Sequence, residues 1–204
     1  MSSISNPVTK KGLSPKRAQT SQRLIDAARE AIGEKGFHRT TLDEIAARAG
    51  LTKGAIYDNF ESKDDLFLAV VLTNARDRLE RFPWPRSRRG TLRTRMRRLA
   101  EAVIADAPAW KLEAPLRAEF LLYTLTHEQL RARLAGLYTD RVDAVRERLR
   151  QSIREEELPI PADKFVLLLE ALIPGLMYVR AQAPELMTDE TIVQIFESLA
   201  GTAT

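Results

Sequence analysis

Between Thr41 and Asp65 three helix-start signals follow one another so closely that the chain there can only build short helices joined by tight turns. Thr41-Leu-Asp-Glu44 is a capping box: the Thr41 hydroxyl accepts from the backbone N–H three residues on, and Glu44 answers it, with acidic groups at the positive end of the helix dipole. That helix runs through Ile45-Ala46-Ala47 and stops at Gly50, leaving it about two turns long. Gly50 supplies the turn conformation that residues with a Cβ resist. Thr52 caps the next short helix, and Ser62-Lys-Asp-Asp65 opens a longer one that continues to about Arg81.

The flanking sequence is helical too. Residues 1–13 are polar and without periodicity, so they read as a disordered basic arm. Ser14-Pro15 suits the start of a helix, and Leu24, Ile25, Ala28, Ala31 and Ile32 form its apolar stripe. Gly36 suits a left-handed end to it, with Phe37 folding back. Phe82-Pro83-Trp84-Pro85 ends the helix from Ser62. Further helices are expected over 91–107 and 111–125, the second apolar nearly all round and so buried by neighbours. Thr126-His-Glu-Gln129 reads as a third capping box, opening a helix to about Glu157, and two apolar helices follow over 162–182 and 188–200. The fold class is all-α, about nine helices, with no alternating strand-length segment. The expected division is a helix-turn-helix unit over 14–71 and a larger helical domain over 72–204.

Leu42, Ile45, Leu51, Ile56 and Phe60 can share a small core with Ile25, Ala28 and Phe37. With Ile56 and Phe60 inward, Thr52, Lys53, Gly54, Ala55, Tyr57 and Asn59 face out. Lysine can bond guanine acceptors, asparagine can pair with adenine, and alanine can touch the thymine methyl. Gly54 leaves room for close backbone approach, and Thr41 and Lys63 sit at helix N-termini, where a phosphate can be held. The same spacing also suits a helical hairpin with an ordinary polar face. Charge favours a polyanion: of 32 basic and 28 acidic residues, 11 and 7 fall within 1–63, leaving 21 of each for the rest. Lys10, Lys11, Lys16 and Arg17 could extend this as a DNA-reaching arm or serve as a solubilising tail.

The stretch from Arg23 to Val71 resembles the DNA-binding domain of the TetR family of bacterial transcriptional regulators. The resemblance is carried by Gly36-Phe37, Thr40-Thr41, Ile45-Ala46, Ala49-Gly50-Leu51-Thr52, Lys53-Gly54, Ile56-Tyr57, Phe60 and Ser62-Lys63. It implies that Lys53, Gly54, Ala55, Tyr57 and Asn59 face operator DNA, with Thr41, Tyr57 and Lys63 on phosphates. Asp58 departs from the family's usual aromatic, histidine or basic residue, and an acid there is unfavourable beside phosphate. The resemblance further implies a homodimer on a palindromic site, repression as the default, and a small-molecule effector cavity in the C-terminal domain.

For the dimer surface the candidates are Phe165, Leu168, Leu169, Leu172 and Leu176 with Ile192, Ile195, Phe196 and Leu199, more apolar area than a terminal hairpin needs. An intramolecular core is the other reading of the same residues. Effector candidates are Trp110, Phe120, Tyr123, Thr124, His127, Tyr138, Met177 and Tyr178, aromatic or polar groups on otherwise apolar helices. Residues 76–98 hold ten arginines against Asp77 and Glu80, either a solvated face or an anion-binding one.

No enzyme is expected. There are two histidines, His38 and His127, and no Gly-rich phosphate loop, nucleophile elbow or metal-ligand cluster, so neither cofactor nor metal is expected. The rival class is a helical adaptor that uses the hairpin for protein contact. Absence of cysteine fits the cytoplasm. No apolar run approaches the roughly 18 residues a bilayer requires, so no membrane partner is expected.

Overall fold

The computed structural model describes residues 14–201. The expected arm over 1–13, with Lys10 and Lys11, lies outside the described residues. These form eight α-helices: α1 Pro15–Lys35, α2 Leu42–Arg48, α3 Lys53–Asn59, α4 Lys63–Arg81, α5 Leu92–Thr126, α6 Glu128–Leu149, α7 Ala162–Gln182 and α8 Asp189–Ser198. A single 3₁₀ turn covers Glu155–Glu157, and no strand occurs among the described residues.

The helix ends follow their local chemistry. Ser14 Oγ accepts from the Arg17 N–H at 3.4 Å with Pro15 beside it, so Lys16 and Arg17 belong to the first turn of α1 and not to an arm. Thr41 and Thr52 accept from the N–H groups of Glu44 and Ala55, and Ser62 from that of Asp65. Gly36 ends α1 at φ 85° and ψ 162°. That backbone region is essentially glycine's alone, and it differs from the left-handed helical turn expected there.

Three expectations give way. The helices expected over 91–107 and 111–125 are one, α5, which passes through Pro108 and Pro115 with both rings on its exposed side. Each proline removes one ladder bond, and the helix continues around it. Second, Thr126 is no N-cap: its hydroxyl donates back to the carbonyls of Leu122 and Tyr123, closing α5 instead of opening α6. Third, α5 is not buried all round, since Leu121, Leu122 and Leu125 stay more than half exposed. α6 also stops early, at Leu149.

Packing divides the chain into two units. One takes the described residues through Glu80 together with Pro115–Leu130, and the other takes Arg81–Ala114 with Arg131 onward. Helix α5 thus contributes to both. The first unit centres on Leu24, Ile25, Ala28, Ile32, Phe37, Ile45, Ile56, Phe60, Leu66 and Phe67, all buried. Each large apolar side chain so placed stabilises by about 1.5–3 kcal/mol.

In the second unit Met96, Leu99, Val103, Trp110, Val145, Leu149, Val166 and Met177 are buried. So are Phe165, Leu169, Leu176, Ile192 and Phe196, each at most 6% exposed. These five candidates for a dimer surface are intramolecular core, because the row of α7 that carries Phe165, Leu169 and Leu176 and the row of α8 that carries Ile192 and Phe196 face inward. Beside that row α7 stays open: Leu167, Leu168 and Val179 are exposed, and Leu172 half-buried. Ile195 and Leu199 of α8 are half-buried. Several arginines of the 76–98 stretch hold structure. Arg95, nearly buried, donates to the carbonyls of Arg88 and Gly90 and pairs with Glu157 at 2.7 Å. Arg93 and Arg97 both reach the Glu197 carboxylate.

Candidate nucleic-acid interface

Helix α3 is positioned from behind. Ile56 and Phe60, fully buried, seat it on α1 and α2, and the turn before it is fastened by the Arg23 guanidinium, which donates to the Ala49 carbonyl at 2.6 Å. Gly50, at φ 62°, lets that turn close. The Arg17 guanidinium donates to the carbonyl of Asp58, tying the far end of α3 to the start of α1. At the near side Arg48 forms a two-pronged bond to Glu34, both contacts 2.7 Å, which holds the Glu34 carboxyl below the usual carboxylate range. The Lys35 ammonium likewise lowers the Glu44 carboxyl, against the opposing effect of burial. The result is a short helix held at both ends with one face free.

On that face Thr52, Lys53 and Gly54 are exposed, Tyr57 is 49% exposed, Ala55 is half-buried, and Thr41 is exposed at the start of α2. The Lys53 ammonium bonds Asp43 at 2.9 Å, and this partner raises its pKa, so it stays charged. Asp58 is exposed beside it. Glycine at position 54 answers no need within the chain: its φ is not positive, and an added Cβ would meet only Thr52 Oγ1, at 3.6 Å.

Two expected groups sit otherwise than the spacing suggested. Asn59 is 3% exposed, its amide donating to the Ala55 carbonyl at 2.7 Å and its Oδ1 buried without a partner. The reading that turned Asn59 toward a base is corrected. The last residue of a seven-residue helix is pulled inward by Phe60, and its side chain folds back one turn along the helix. Lys63 is only half-buried, but its ammonium donates to the Phe37 carbonyl at 2.9 Å and lies 4.3 Å from the Phe37 ring centroid. Burial lowers its pKa, with Asp64 opposing.

Phe37, expected in the small core, is also a hub whose partners sequence reasoning did not find. Its ring stacks on Phe67 at 4.0 Å and meets Tyr123 edge-on at 4.9 Å. Its N–H donates to Glu119 of α5 at 2.6 Å, and the Tyr123 hydroxyl donates to Asp64 at 2.7 Å. Burial and the Asp64 bond push the Tyr123 phenol up to about 12. Nothing in the pattern of α5 marks Glu119, since one acid on a long helix carries no partner information.

The effector candidates do not gather in one place. Tyr123 and Thr124 are buried in the first unit with half-buried Phe120 and exposed His127, which stacks on Tyr123 at 3.8 Å. In the second unit, Trp110 meets Tyr178 edge-on at 4.8 Å, Met177 is buried and Tyr138 is exposed. A cavity of about 10 Å³ lined by Arg146, Leu149, Ile153 and Val166 involves none of them. No group of three or more metal-ligating side chains occurs among the described residues, and no described helix is long and apolar enough to cross a membrane.

A small three-helix core, a glycine turn and a second short helix with one free polar face define a DNA-binding helix-turn-helix regulator of transcription. Residues 24–70 match the group described as bacterial regulatory proteins, tetR family, the family that this chain resembles. It is 43% identical over 54 residues to the transcriptional repressor BepR of Brucella suis, 26% of each chain. It is 29% identical over 167 residues to the transcriptional regulator SrpR of Pseudomonas putida, covering 78% of this chain and 74% of that one. The first of these matches therefore spans about a quarter of its relative. Among solved structures, GusR of Salmonella enterica shares the fold with a TM-score of 0.69 at 22% identity, covering 94% of this chain and 99% of that one.

Proposed function

We propose that the protein is a dimeric repressor that reads a palindromic operator with α3 and leaves it when a small molecule binds the C-terminal domain. The observation that carries the DNA reading is the asymmetry of α3: Ile56 is fully buried while Lys53, Gly54 and Tyr57 on the other side are open. Thr52, Lys53, Gly54, Ala55 and Tyr57 meet base edges and backbone, and Thr41 and Tyr57 meet phosphates. Lys63 joins them with the ammonium N–H groups that its bond to the Phe37 carbonyl leaves over. BepR, a repressor by name, supports repression. Such a regulator acts beside the chromosome, in the cytoplasm.

Dimerisation uses the open face of α7, with Leu168, Leu172 and Val179 around Gly175, and with Ile195 and Leu199 at its margin. A Cβ at Gly175 would meet nothing within 4 Å, so the glycine serves no packing need inside the monomer. A glycine in mid-helix costs about 1 kcal/mol, which a second helix crossing closely there would offset. For the effector, Trp110 offers a fully buried indole N–H without an acceptor. With Tyr178 edge-on beside it, it suits an aromatic molecule bearing one acceptor atom.

The test is fluorescence anisotropy on duplexes selected from a random pool. Affinity falls steeply with salt, Lys53→Ala changes base preference, and Lys63→Ala weakens every duplex alike. Failure to select any sequence would make the hairpin a protein-contact module. Leu168→Glu converts the dimer to a monomer in sedimentation.

A further inference from the structure

We propose that Glu119, remote in sequence from the helix-turn-helix, is a positioning residue for DNA reading: it latches the Gly36–Phe37 turn and so sets where Lys63 and α2 stand. This rests on the reading of α3 and its flanks as the DNA face. Both backbone groups of Phe37 are held by charges of opposite sign from different helices. Its N–H donates to the Glu119 carboxylate of α5 at 2.6 Å, and its C=O accepts from the Lys63 ammonium of α4 at 2.9 Å. An anion on the donor side and a cation on the acceptor side make both bonds charge-assisted.

The site is shaped for that carboxylate. Gly36 has no side chain, and a Cβ there would overlap Glu119 Oε1 and lie 3.2 Å from its Cδ. One turn further along α5, on the same face, Tyr123 donates to Asp64 at 2.7 Å, next in sequence to Lys63. Glu119 and Tyr123 therefore grip the DNA-binding unit at two points that bracket Lys63. Neither grip is required to bury the core, which Phe37, Phe67 and Ile32 already close.

Helix α5 also belongs, over its first two thirds, to the other packed unit. A slide of one residue's rise, about 1.5 Å, stretches a 2.6 Å bond beyond hydrogen-bond reach. The latch is therefore poised to convert small movements of α5 into release of the turn.

The experiment compares full-length wild type, Glu119→Ala and Glu119→Gln on a duplex selected by the wild type and on a random duplex, with amide exchange at Phe37 followed by NMR. The Ala variant exchanges Phe37 at least about ten-fold faster and loses about ten-fold in affinity for both duplexes, because Lys63 and Thr41 meet phosphates. The Gln variant, which keeps the bulk and one acceptor oxygen, lies between and guards against simple loss of the fold. A Glu119→Ala protein with wild-type affinity for both duplexes, or with Phe37 exchanging at the wild-type rate, overturns the proposal alone. A wild type that selects no duplex overturns the DNA reading and this proposal with it.

Discussion

The carboxylate of Glu119 occupies the space that a side chain on Gly36 would need, 83 positions earlier in the chain. Gly36 is thus required twice, for its backbone angles and for the room it leaves. Gly36→Ala should cost about 3 kcal/mol in urea unfolding, from strain of about 1–3 kcal/mol plus the collision. In a Glu119→Ala background the same change should cost only the strain. A double-mutant cycle without coupling would show that the two positions do not meet.

Gly54 presents the opposite case. Its backbone is ordinary helix and its Cβ position is open, so Gly54→Ala should stabilise the free protein by up to about 1 kcal/mol. On the proposed DNA reading the same methyl group stands where the duplex approaches, and affinity for a selected duplex should fall about ten-fold or more, equivalent to about 1.4 kcal/mol. Stabilisation with unchanged binding would remove α3 from the groove.

Asn59 buries an oxygen that has no partner. Asn59→Leu removes that orphan along with the bond to Ala55, and its stability should stay within about 1 kcal/mol of wild type. Base preference in a selection experiment should not change. Relaxed preference at one position of the operator would mean that the side chain swings out on binding.

In the second unit, Glu197 is 8% exposed as a side chain and accepts from Arg93 at 2.8 Å and Arg97 at 2.6 Å. Glu197→Gln should lower the thermal midpoint, with a loss of about 2 kcal/mol for two charge-assisted bonds. Arg93→Gln or Arg97→Gln alone should cost less than about 1 kcal/mol, because each arginine is more than half exposed and the other one remains.

Tyr123 supplies an alkaline signature. Its phenol is pushed up to about 12 from the ordinary 10, first by burial and then by the bond to Asp64. A folded pKa above the unfolded one means that the contribution to stability is complete below pH 10 and is lost as pH rises from 10 to 12. Phenolate absorbance should show Tyr123 titrating near pH 12, a step that Tyr123→Phe should remove. The same absorbance change near pH 12 in wild type and Tyr123→Phe would contradict the Tyr123–Asp64 bond.

What the sequence determined by itself was local. Thr41, Thr52 and Ser62 cap helices within three residues of themselves, and the rows Leu24–Ile32 and Ile56–Phe60 repeat at helical spacing, so short-range sterics and hydrogen bonding decide them. Tertiary structure alone decided the rest. Asn59 turned inward because Phe60 needed the core, α5 ran through Pro108 where local rules expected a break, and half of the supposed dimer face proved to be interior. Glu119 reached Phe37 across 82 positions. Such pairings carry no periodicity: which of two apolar faces packs inward, and which distant amide a lone carboxylate meets, follow from the total free energy of assembling all the helices, in which no single segment holds the deciding share.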